Sequence, residues 1–422
     1  MPAPGAGMSG RRKQHSLEWQ LLVLVPLALT AFGLVMVYSA TSASAALGNG
    51  NPAGYLERQT IYALAGVVLM IVAARSDYRK LRAVAPPLVV GALGLCVVVL
   101  GIGERINGAR RWIGFGPAAF QPSELAKLAL VVWCAAYLAR KPPPRTLKDL
   151  AKPIGTLVGL FCLLILVEPD LGTVITIVTM VGAMLLVAGT PLPTLATAYG
   201  IVFALAAIAA WASPYRRARL LVFLNPWKDP TGNGLQNVQA LISLGSGGVW
   251  GRGLGQGIHK IHYLPEAHTD MIFAVIGEEL GLVGAALLML GYAAFAYAGL
   301  RLAISCKDPF GKRLAAGITA LVCGQAAINL AAVLGLAPLT GIPLPFVSYG
   351  GSSLVIALLS VGILLNIARG HGRATTAEVP DRSRGNGRPR RAVARSGGGA
   401  PRARSGSDVR RVAGSRRGAA RS

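Results

Sequence analysis

The segment HYLPEAHTDMIFAVIGEELG, residues 262–281, joins a cluster of ionisable side chains to the start of a long apolar run. Glu266, His268 and Asp270 lie directly before that run. An ionisable group close to hydrocarbon is costly unless it is paired or faces water, so such residues are functional candidates. The simpler interpretation is that Thr269 or Asp270 only caps the following helix. We expect a membrane helix to begin here, with Asp270 at its mouth.

Two further carboxylates, Glu278 and Glu279, lie inside the apolar run. Adjacent residues project about 100° apart around a helix, so at most one of the two is expected to face a cavity. The other should be paired or should reach toward water. We expect structural roles for both, with a functional role as the open alternative.

The composition of the chain predicts a membrane protein. Of 422 residues, 53% are hydrophobic and 14% charged, and the mean hydropathy is +0.54, which excludes an ordinary soluble enzyme. Apolar runs of about 20 residues recur, and helices satisfy the backbone in lipid. We therefore predict an all-α polytopic membrane protein with about ten transmembrane helices. Their approximate positions are 19–40, 58–75, 83–101, 122–140, 152–167, 171–189, 193–213, 271–303, 312–337 and 348–368.

The chain carries a net charge of +25, and the distribution of charged and apolar residues divides it into three regions. Residues 1–18 form a cytoplasmic N-terminal segment, and 19–369 form the ten-helix domain with a long outer loop at 214–270. Residues 370–422 are rich in Arg, Gly and Ser and poor in large apolar side chains, so we expect a disordered cytoplasmic tail. Such a tail would bind anionic membrane lipids, and we expect no nucleic-acid partner.

The loops between the predicted helices set the orientation. Those at 75–82, 140–152 and 301–313 are basic and alternate with loops that mostly are not. The positive-inside rule places these loops in the cytoplasm. With an even helix count, both termini should be cytoplasmic, and Asp270 should lie outside.

Two arginine clusters break the positive-inside pattern. Arg110 and Arg111 stand beside Trp112 in one outer loop, and Arg216 and Arg217 stand in the long outer loop. They could be tolerated surface charges. Guanidinium groups on one face also suit an anionic headgroup or a pyrophosphate, which is the interpretation that we favour.

The fourth predicted helix opens with QPSELAK, in which Ser123 is a candidate N-cap after Gln121 and Pro122. Glu124 and Lys127 are three residues apart and therefore share one helix face. Such a pair near the membrane boundary is either a structural ion pair or part of a polar cavity.

Two segments are too irregular for simple helices. Residues 338–353, PLTGIPLPFVSYGGSS, break the apolar pattern and offer Ser348 and Tyr349. Irregular backbone at membrane depth must be buried in protein or line water. Residues 244–257, LGSGGVWGRGLGQG, lack the order of a phosphate-binding loop, and their glycines should permit tight turns.

Taken together, these blocks resemble the SEDS family (shape, elongation, division and sporulation), most closely its FtsW type and less closely its RodA branch. The resemblance covers roughly residues 15–370. It is carried by NGARRWIGFGPAAFQPSELAK, EPDLGT, FLNPWKDPTGNGLQNVQALISLGSGGVWGRGLGQG, YLPEAHTDMIFAVIGEELG and GIPLPFVSYGGSS.

The resemblance implies a peptidoglycan glycosyltransferase that polymerises lipid II at the outer face of the bacterial cytoplasmic (inner) membrane. It also implies a class B penicillin-binding protein, an FtsI-type transpeptidase, and other divisome proteins as partners. The family's catalytic aspartate matches Asp270. One departure is His262, where FtsW proteins often have glutamate; Glu266 could fill that role. The family's cavity residues match Trp112, Gln121, Ser123, Glu124 and Lys127.

The chemistry of lipid II suggests roles for these residues. Asp270 would act as general base on the acceptor hydroxyl. The outer arginines, with Lys127, would neutralise the departing pyrophosphate, directly or through Mg²⁺ or Mn²⁺. His268, Ser348 and Tyr349 would contact the substrate. A lipid II flippase, the elongation polymerase and a division scaffold without chemistry are the alternatives.

Overall fold

The computed structural model describes residues 6–46, 52–106, 109–115, 118–212, 217, 221–232, 234–261 and 264–376. The predicted tail beyond residue 376, Arg216 and His262 lie outside these ranges. The helices are α1 Ala6–Ala46, α2 Pro52–Arg75, α3 Leu81–Ile102, α4 Pro122–Arg140, α5 Leu147–Leu150, α6 Thr156–Val167, α7 Leu171–Ala188, α8 Leu192–Ala212, α9 Leu235–Ser246, α10 Ile272–Ser305, α11 Pro309–Val333 and α12 Gly351–Thr376.

The predicted all-α polytopic fold is confirmed. Within the described ranges, nine helical segments are long and apolar enough to cross a membrane, and α8 holds a shorter apolar run, Leu192–Ile208. These ten segments correspond to the ten predicted helices. A helix is the form in which such a segment satisfies its own backbone in lipid.

Several predicted helix bounds were wrong, and each error has a local cause. Helix α2 starts at Pro52 instead of 58, because the polar residues Glu57, Arg58 and Gln59 lower the hydropathy of its first turns. The span ending at Val167 starts at Leu147 and includes a π-helical turn. Helix α11 ends at Val333, just before Gly335 with φ +73°. The irregular segment then delays α12 to Gly351.

A small antiparallel sheet lies between α3 and α4, where the sequence suggested only a loop. Its strands are β1 Glu104–Ile106, β2 Ala109–Phe115 and β3 Ala118–Phe120, in the order β1-β2-β3. Arg105 pairs with Arg110, and Ile113 pairs with Phe120. The sheet therefore fixes where the first arginine cluster lies.

The central helices are α4, α10, α11 and α12. Their best apolar windows are 78%, 67%, 61% and 72% buried, against 17% for the span that contains α6. Small residues permit close packing in lipid. A Cβ added at Gly362 of α12 would lie 2.4 Å from the carbonyl oxygen of Met70 on α2. The backbones of α12 and α2 therefore lie in close contact.

Helix α10 is broken at Gly281, which has φ +65° and ψ −162°. Residues 244–260, which we call the glycine-rich stretch, run alongside the break. Arg252 N donates to Glu278 O at 3.0 Å, and Leu282 N donates to Gly248 O at 2.9 Å. A Cβ at Gly251 would lie only 2.2 Å from the carbonyl oxygen of Glu279. Positive φ values at Gly248, Gly251, Gly253 and Gly255 confirm that these glycines serve tight turns.

Candidate functional site

Asp270 closes a compact turn directly before α10. Thr269 N donates to Glu266 O at 3.1 Å, and Thr269 Oγ1 donates to Glu266 Oε2 at 2.9 Å. Glu266 itself adopts φ +56°. Asp270 is 9% exposed, so most of the residue is buried and a small part of its surface is accessible. Glu266 is exposed and supports the turn through Thr269.

Asp270 lies against the irregular segment 338–353. A Cβ at Gly341 would lie 3.9 Å from Asp270 Oδ2. Asn329 Nδ2 donates to the backbone oxygens of both Asp270 and Ile342, each at 2.8 Å. The segment therefore lies close to the Asp270 side chain and is tied to its main chain.

Three aromatic rings cluster beside Asp270. Tyr55 lies 5.1 Å from His268 and 5.3 Å from Tyr349, between ring centroids, and His268 lies 5.6 Å from Tyr349. Tyr349 N also donates to His268 O at 2.9 Å. Burial lowers the pKa of His268, against the opposing effect of Glu266. The imidazole is therefore neutral at pH 7 and offers an apolar face.

Helix α2 supplies site residues that sequence reasoning missed. Gln59 Nε2 donates to Ser348 O at 3.1 Å, and Ser348 Oγ accepts from Leu344 N at 2.8 Å. Arg58 is exposed and hydrogen-bonds the Tyr349 side chain. The spacing of these residues could have identified them, because polar residues at i, i+3, i+4 and i+7 share one helix face. In α2 these are Tyr55, Arg58, Gln59 and Tyr62.

The Glu124–Lys127 pair is enclosed. Lys127 Nζ lies 2.9 Å from Glu124 Oε1 and 2.7 Å from Gln325 Oε1. Gln325 Nε2 donates in turn to Pro343 O at 2.9 Å. Lys127 is 1% exposed, and the adjoining cavity of ≈ 20 Å³ has room for about one water. Direct substrate binding by these residues stays a prediction, and in this conformation the pair is structural.

The start of α4 differs from the prediction at Ser123. The helix begins at Pro122 with Gln121 as N-cap, so Ser123 is not the cap. Its buried Oγ has no hydrogen-bond partner among the described residues. Gln121 instead joins two elements: its Nε2 donates to Asp170 Oδ2 at 3.2 Å, and its N donates to Ser352 Oγ at 3.3 Å.

The first arginine cluster is partly bound to the backbone. Arg111 Nε donates to Glu168 O at 2.7 Å and its Nη2 to Pro169 O. Arg110 Nη1 donates to the carbonyl oxygens that end α3, including Gly101 O at 2.9 Å. Both guanidinium groups are half-buried and keep further N–H groups. Trp112 is also half-buried, and Arg217 is exposed.

Glu168 is a buried carboxyl between α6 and α7. It is 1% exposed, and neither side-chain oxygen has a hydrogen-bond partner among the described residues. Burial raises its pKa to about 8, with a contribution from Asp170 and an opposing one from Arg111. The carboxyl is therefore largely protonated at neutral pH.

Glu168→Gln should make stability less sensitive to alkaline pH. The pKa of Glu168 is higher in the folded state than in the unfolded state, so its contribution is complete below about 4.5 and is lost as pH rises toward 8. We expect similar melting temperatures at pH 5 and a higher one for the variant at pH 8.5, measured by fluorimetry in detergent. Equal pH dependence of both proteins would contradict this.

Both glutamates of α10 bind the glycine-rich stretch. Glu279 accepts from Lys260 Nζ at 2.6 Å, from Ser39 Oγ at 2.8 Å and from Gly255 N at 3.0 Å. Glu278 accepts from Ile258 N at 2.8 Å and from Ser243 Oγ at 3.1 Å. Their structural roles follow from these contacts.

An apolar cavity of ≈ 270 Å³ adjoins the polar site. It lies between α2, β3 and α12, and its lining includes Tyr62, Phe120 and Val355. Ile356 lines both this cavity and the small one beside Lys127. The site around Asp270 thus combines a largely buried carboxylate, a neutral imidazole and the exposed guanidinium of Arg58, and an apolar recess adjoins the Glu124–Lys127 cavity.

Comparisons with known proteins identify the family. A family model described as a cell cycle protein, covering FtsW, RodA and SpoVE, matches residues 19–372. A probable peptidoglycan glycosyltransferase FtsW from Geobacter metallireducens is 42% identical over 351 residues, covering 82% of this chain and 94% of that protein. Stage V sporulation protein E from Bacillus subtilis is 39% identical, covering 83% and 96%.

Solved structures of related proteins support the same family. A chain of a peptidoglycan synthase complex that coordinates polymerization and crosslinking has a TM-score of 0.70 and 31% identity, covering 83% of this chain and 97% of that one. The rod shape determining protein RodA of Thermus thermophilus has a TM-score of 0.63 and 30% identity, with the same coverage. This chain is a member of the FtsW, RodA and SpoVE family of cell cycle proteins.

Proposed function

We propose that this chain is a peptidoglycan glycosyltransferase that polymerises lipid II into glycan strands during cell division. One observation carries the proposal: Asp270 is largely buried but still accessible directly before α10, and an amide from α11 ties its turn to the irregular segment. A fixed carboxylate at the end of a membrane bundle suits proton abstraction from a lipid-linked sugar.

In the proposed reaction, Asp270 removes the proton from the 4-hydroxyl of the acceptor sugar. That oxygen attacks the anomeric carbon of the donor and forms the new glycosidic bond with inversion. The bond between the donor sugar and undecaprenyl pyrophosphate breaks, and the pyrophosphate departs with the electron pair. General base catalysis of this kind contributes about 10²- to 10⁴-fold to rate.

The departing pyrophosphate requires positive charge. Arg58 and Arg217 are exposed, and Arg110 and Arg111 keep free N–H groups beside their backbone contacts. We propose that these guanidinium groups bind the pyrophosphate. Lys127 is enclosed by Glu124 and Gln325 and orders α4 against α11 instead.

Sugar binding would use the aromatic cluster. The faces of Tyr55, neutral His268 and Tyr349 can pack against a sugar ring, while Glu266 and Ser348 stabilise the two turns that carry them. Among the described residues, no group of three His, Cys, Asp or Glu could hold a metal ion. A divalent cation would therefore arrive with the pyrophosphate, whose oxygens Mg²⁺ prefers.

We further propose that both termini are cytoplasmic and that Asp270 faces outward in the bacterial cytoplasmic membrane. A class B penicillin-binding protein would supply crosslinking, and other divisome proteins would recruit the pair. A structural relative within a peptidoglycan synthase complex supports the first partnership.

Purified protein in detergent should convert lipid II into glycan strands. Polymerisation, unlike transport, does not require a membrane that separates two compartments. Gel analysis of fluorescent lipid II measures the product, with and without a class B penicillin-binding protein and with EDTA. The flippase alternative would be favoured if the protein transported lipid II across a vesicle membrane and formed no polymer, with or without the penicillin-binding protein.

A further inference from the structure

Asn329 is a buried amide at the centre of the Asp270 site. It lies on α11 and is 2% exposed. Its Nδ2 donates to Asp270 O and to Ile342 O, each at 2.8 Å. Because both neighbours are carbonyl acceptors, they fix the amide orientation, with nitrogen toward them.

The two carbonyls belong to segments far apart in sequence. One ends the turn before α10, and the other lies in the irregular segment 338–353. An ordinary amide donates two hydrogens, so Asn329 uses its full donor capacity on these two contacts. Its Oδ1 is buried and has no partner among the described residues. The side chain acts as a bridge between two otherwise non-helical pieces of backbone.

The bridge bears on the Asp270 carboxylate. Ile342 is adjacent to Gly341, where an added Cβ would lie 3.9 Å from Asp270 Oδ2. One turn earlier on α11, Gln325 Nε2 donates to Pro343 O at 2.9 Å. Residues at i and i+4 lie on one helix face, so α11 holds two consecutive carbonyls of the segment. The surface against which the carboxylate rests is thereby fixed.

We propose that Asn329 is a positioning residue, which holds the Asp270 turn against residues 341–343 so that the carboxylate meets the acceptor hydroxyl. This inference rests on the proposed function of Asp270. Misplacement of a reacting group by about 1 Å can cost about 10²-fold in rate. Substrate affinity should change little, because Asn329 contacts backbone and not the proposed cation or aromatic groups.

Asn366 is a matched control for Asn329. It binds the C-terminal end of α2, whereas the N-terminal part of α2 contacts the Asp270 site through Gln59. Asn366 of α12 donates from Nδ2 to Ala74 O at 3.0 Å and to Ser76 O, so it too bridges two carbonyls. It is half-buried, and its Oδ1 also accepts from Tyr78 N at 3.1 Å. Gln59 and Ala74 are separated by about 22 Å along α2, at about 1.5 Å per residue. Loss of this amide should cost comparable stability without affecting the Asp270 turn.

The test compares Asn329→Ala and Asn329→Asp with Asn366→Ala and Asn366→Asp in the full chain. We expect both Asn329 variants to lower kcat for lipid II polymerisation by about 10- to 100-fold with KM within about twofold. The Asn366 variants should keep wild-type kcat at a similar melting temperature. Fluorescent lipid II assays and fluorimetry provide these values.

Three results would overturn the inference: wild-type kcat in the Asn329 variants, a fall in kcat matched by the Asn366 variants, or failure of only the Asn329 variants to fold. Failure of the proposed function is distinguishable, because the wild-type protein would then make no polymer, and failure of the Asp270 role alone would leave Asp270→Asn active.

Discussion

Asp270→Asn should reduce lipid II polymerisation by about 10²- to 10⁴-fold, the usual cost of losing a general base. Asparagine has nearly the same shape as aspartate, but its amide cannot take up the proton of the acceptor sugar's hydroxyl at neutral pH. The turn should persist, because the backbone N–H groups of Thr269 and Met271 and the side-chain amide of Asn329 hold its main chain. Polymer is measured from fluorescent lipid II, and folding is measured by melting temperature in detergent.

Asp229→Asn is the matched control. Asp229 belongs to the same long loop, and its Oδ1 accepts from Gly232 N at 3.1 Å. We expect this variant to polymerise lipid II at the wild-type rate. Near-normal activity of Asp270→Asn would remove Asp270 from the role of base. An unfolded Asp270→Asn protein would show instead that its carboxylate is a structural group.

The membrane helices could be predicted from sequence because each depends on local hydropathy. A window of about 20 apolar residues is long enough to cross the hydrocarbon of a membrane, and as a helix it satisfies its own backbone hydrogen bonds there. The cluster around Asp270 was also visible, since acidic side chains before an apolar run are conspicuous. The β1-β2-β3 sheet was missed, because strands of three to seven residues carry little periodic signal.

The partners within the site could not be predicted, because they join distant segments. Asn329 and Gln325 look like isolated amides in an apolar helix until the carbonyls at 342 and 343 are placed beside them. Glu279 and Lys260 are 19 residues apart, and nothing in the local sequence pairs them. Hydropathy likewise gave no sign that Lys127 would be enclosed.

The glycine-rich stretch shows what such distant partners do. It lies along the break in α10 through backbone bonds to Glu278 O and Glu279 O. The same two residues bind it through their carboxylates. Since α10 begins beside Asp270, the stretch stabilises the helix end that carries the proposed base. Among these contacts the buried Glu279–Lys260 pair is the shortest, at 2.6 Å.

Glu279→Gln should therefore destabilise the protein by about 3–5 kcal/mol, the usual cost of removing one partner of a buried ion pair. The two side chains are 0% and 2% exposed and lie 2.6 Å apart, so the Lys260 ammonium would be left buried without its counter-charge. We expect a marked fall in melting temperature in detergent. We also expect faster tryptic cleavage near Arg252, because the glycine-rich stretch loses an anchor.

Adding Lys260→Met to Glu279→Gln should recover most of the lost stability, because the uncompensated charge is then removed while the amide still accepts from Ser39 and Gly255. Arg301→Gln provides a contrast: Arg301 is 42% exposed and lies 3.8 Å from Glu18, so its loss should cost at most about 1 kcal/mol. If Glu279→Gln melts no lower than Arg301→Gln, the buried pair does not hold the stretch, and its neutral hydrogen bonds must suffice.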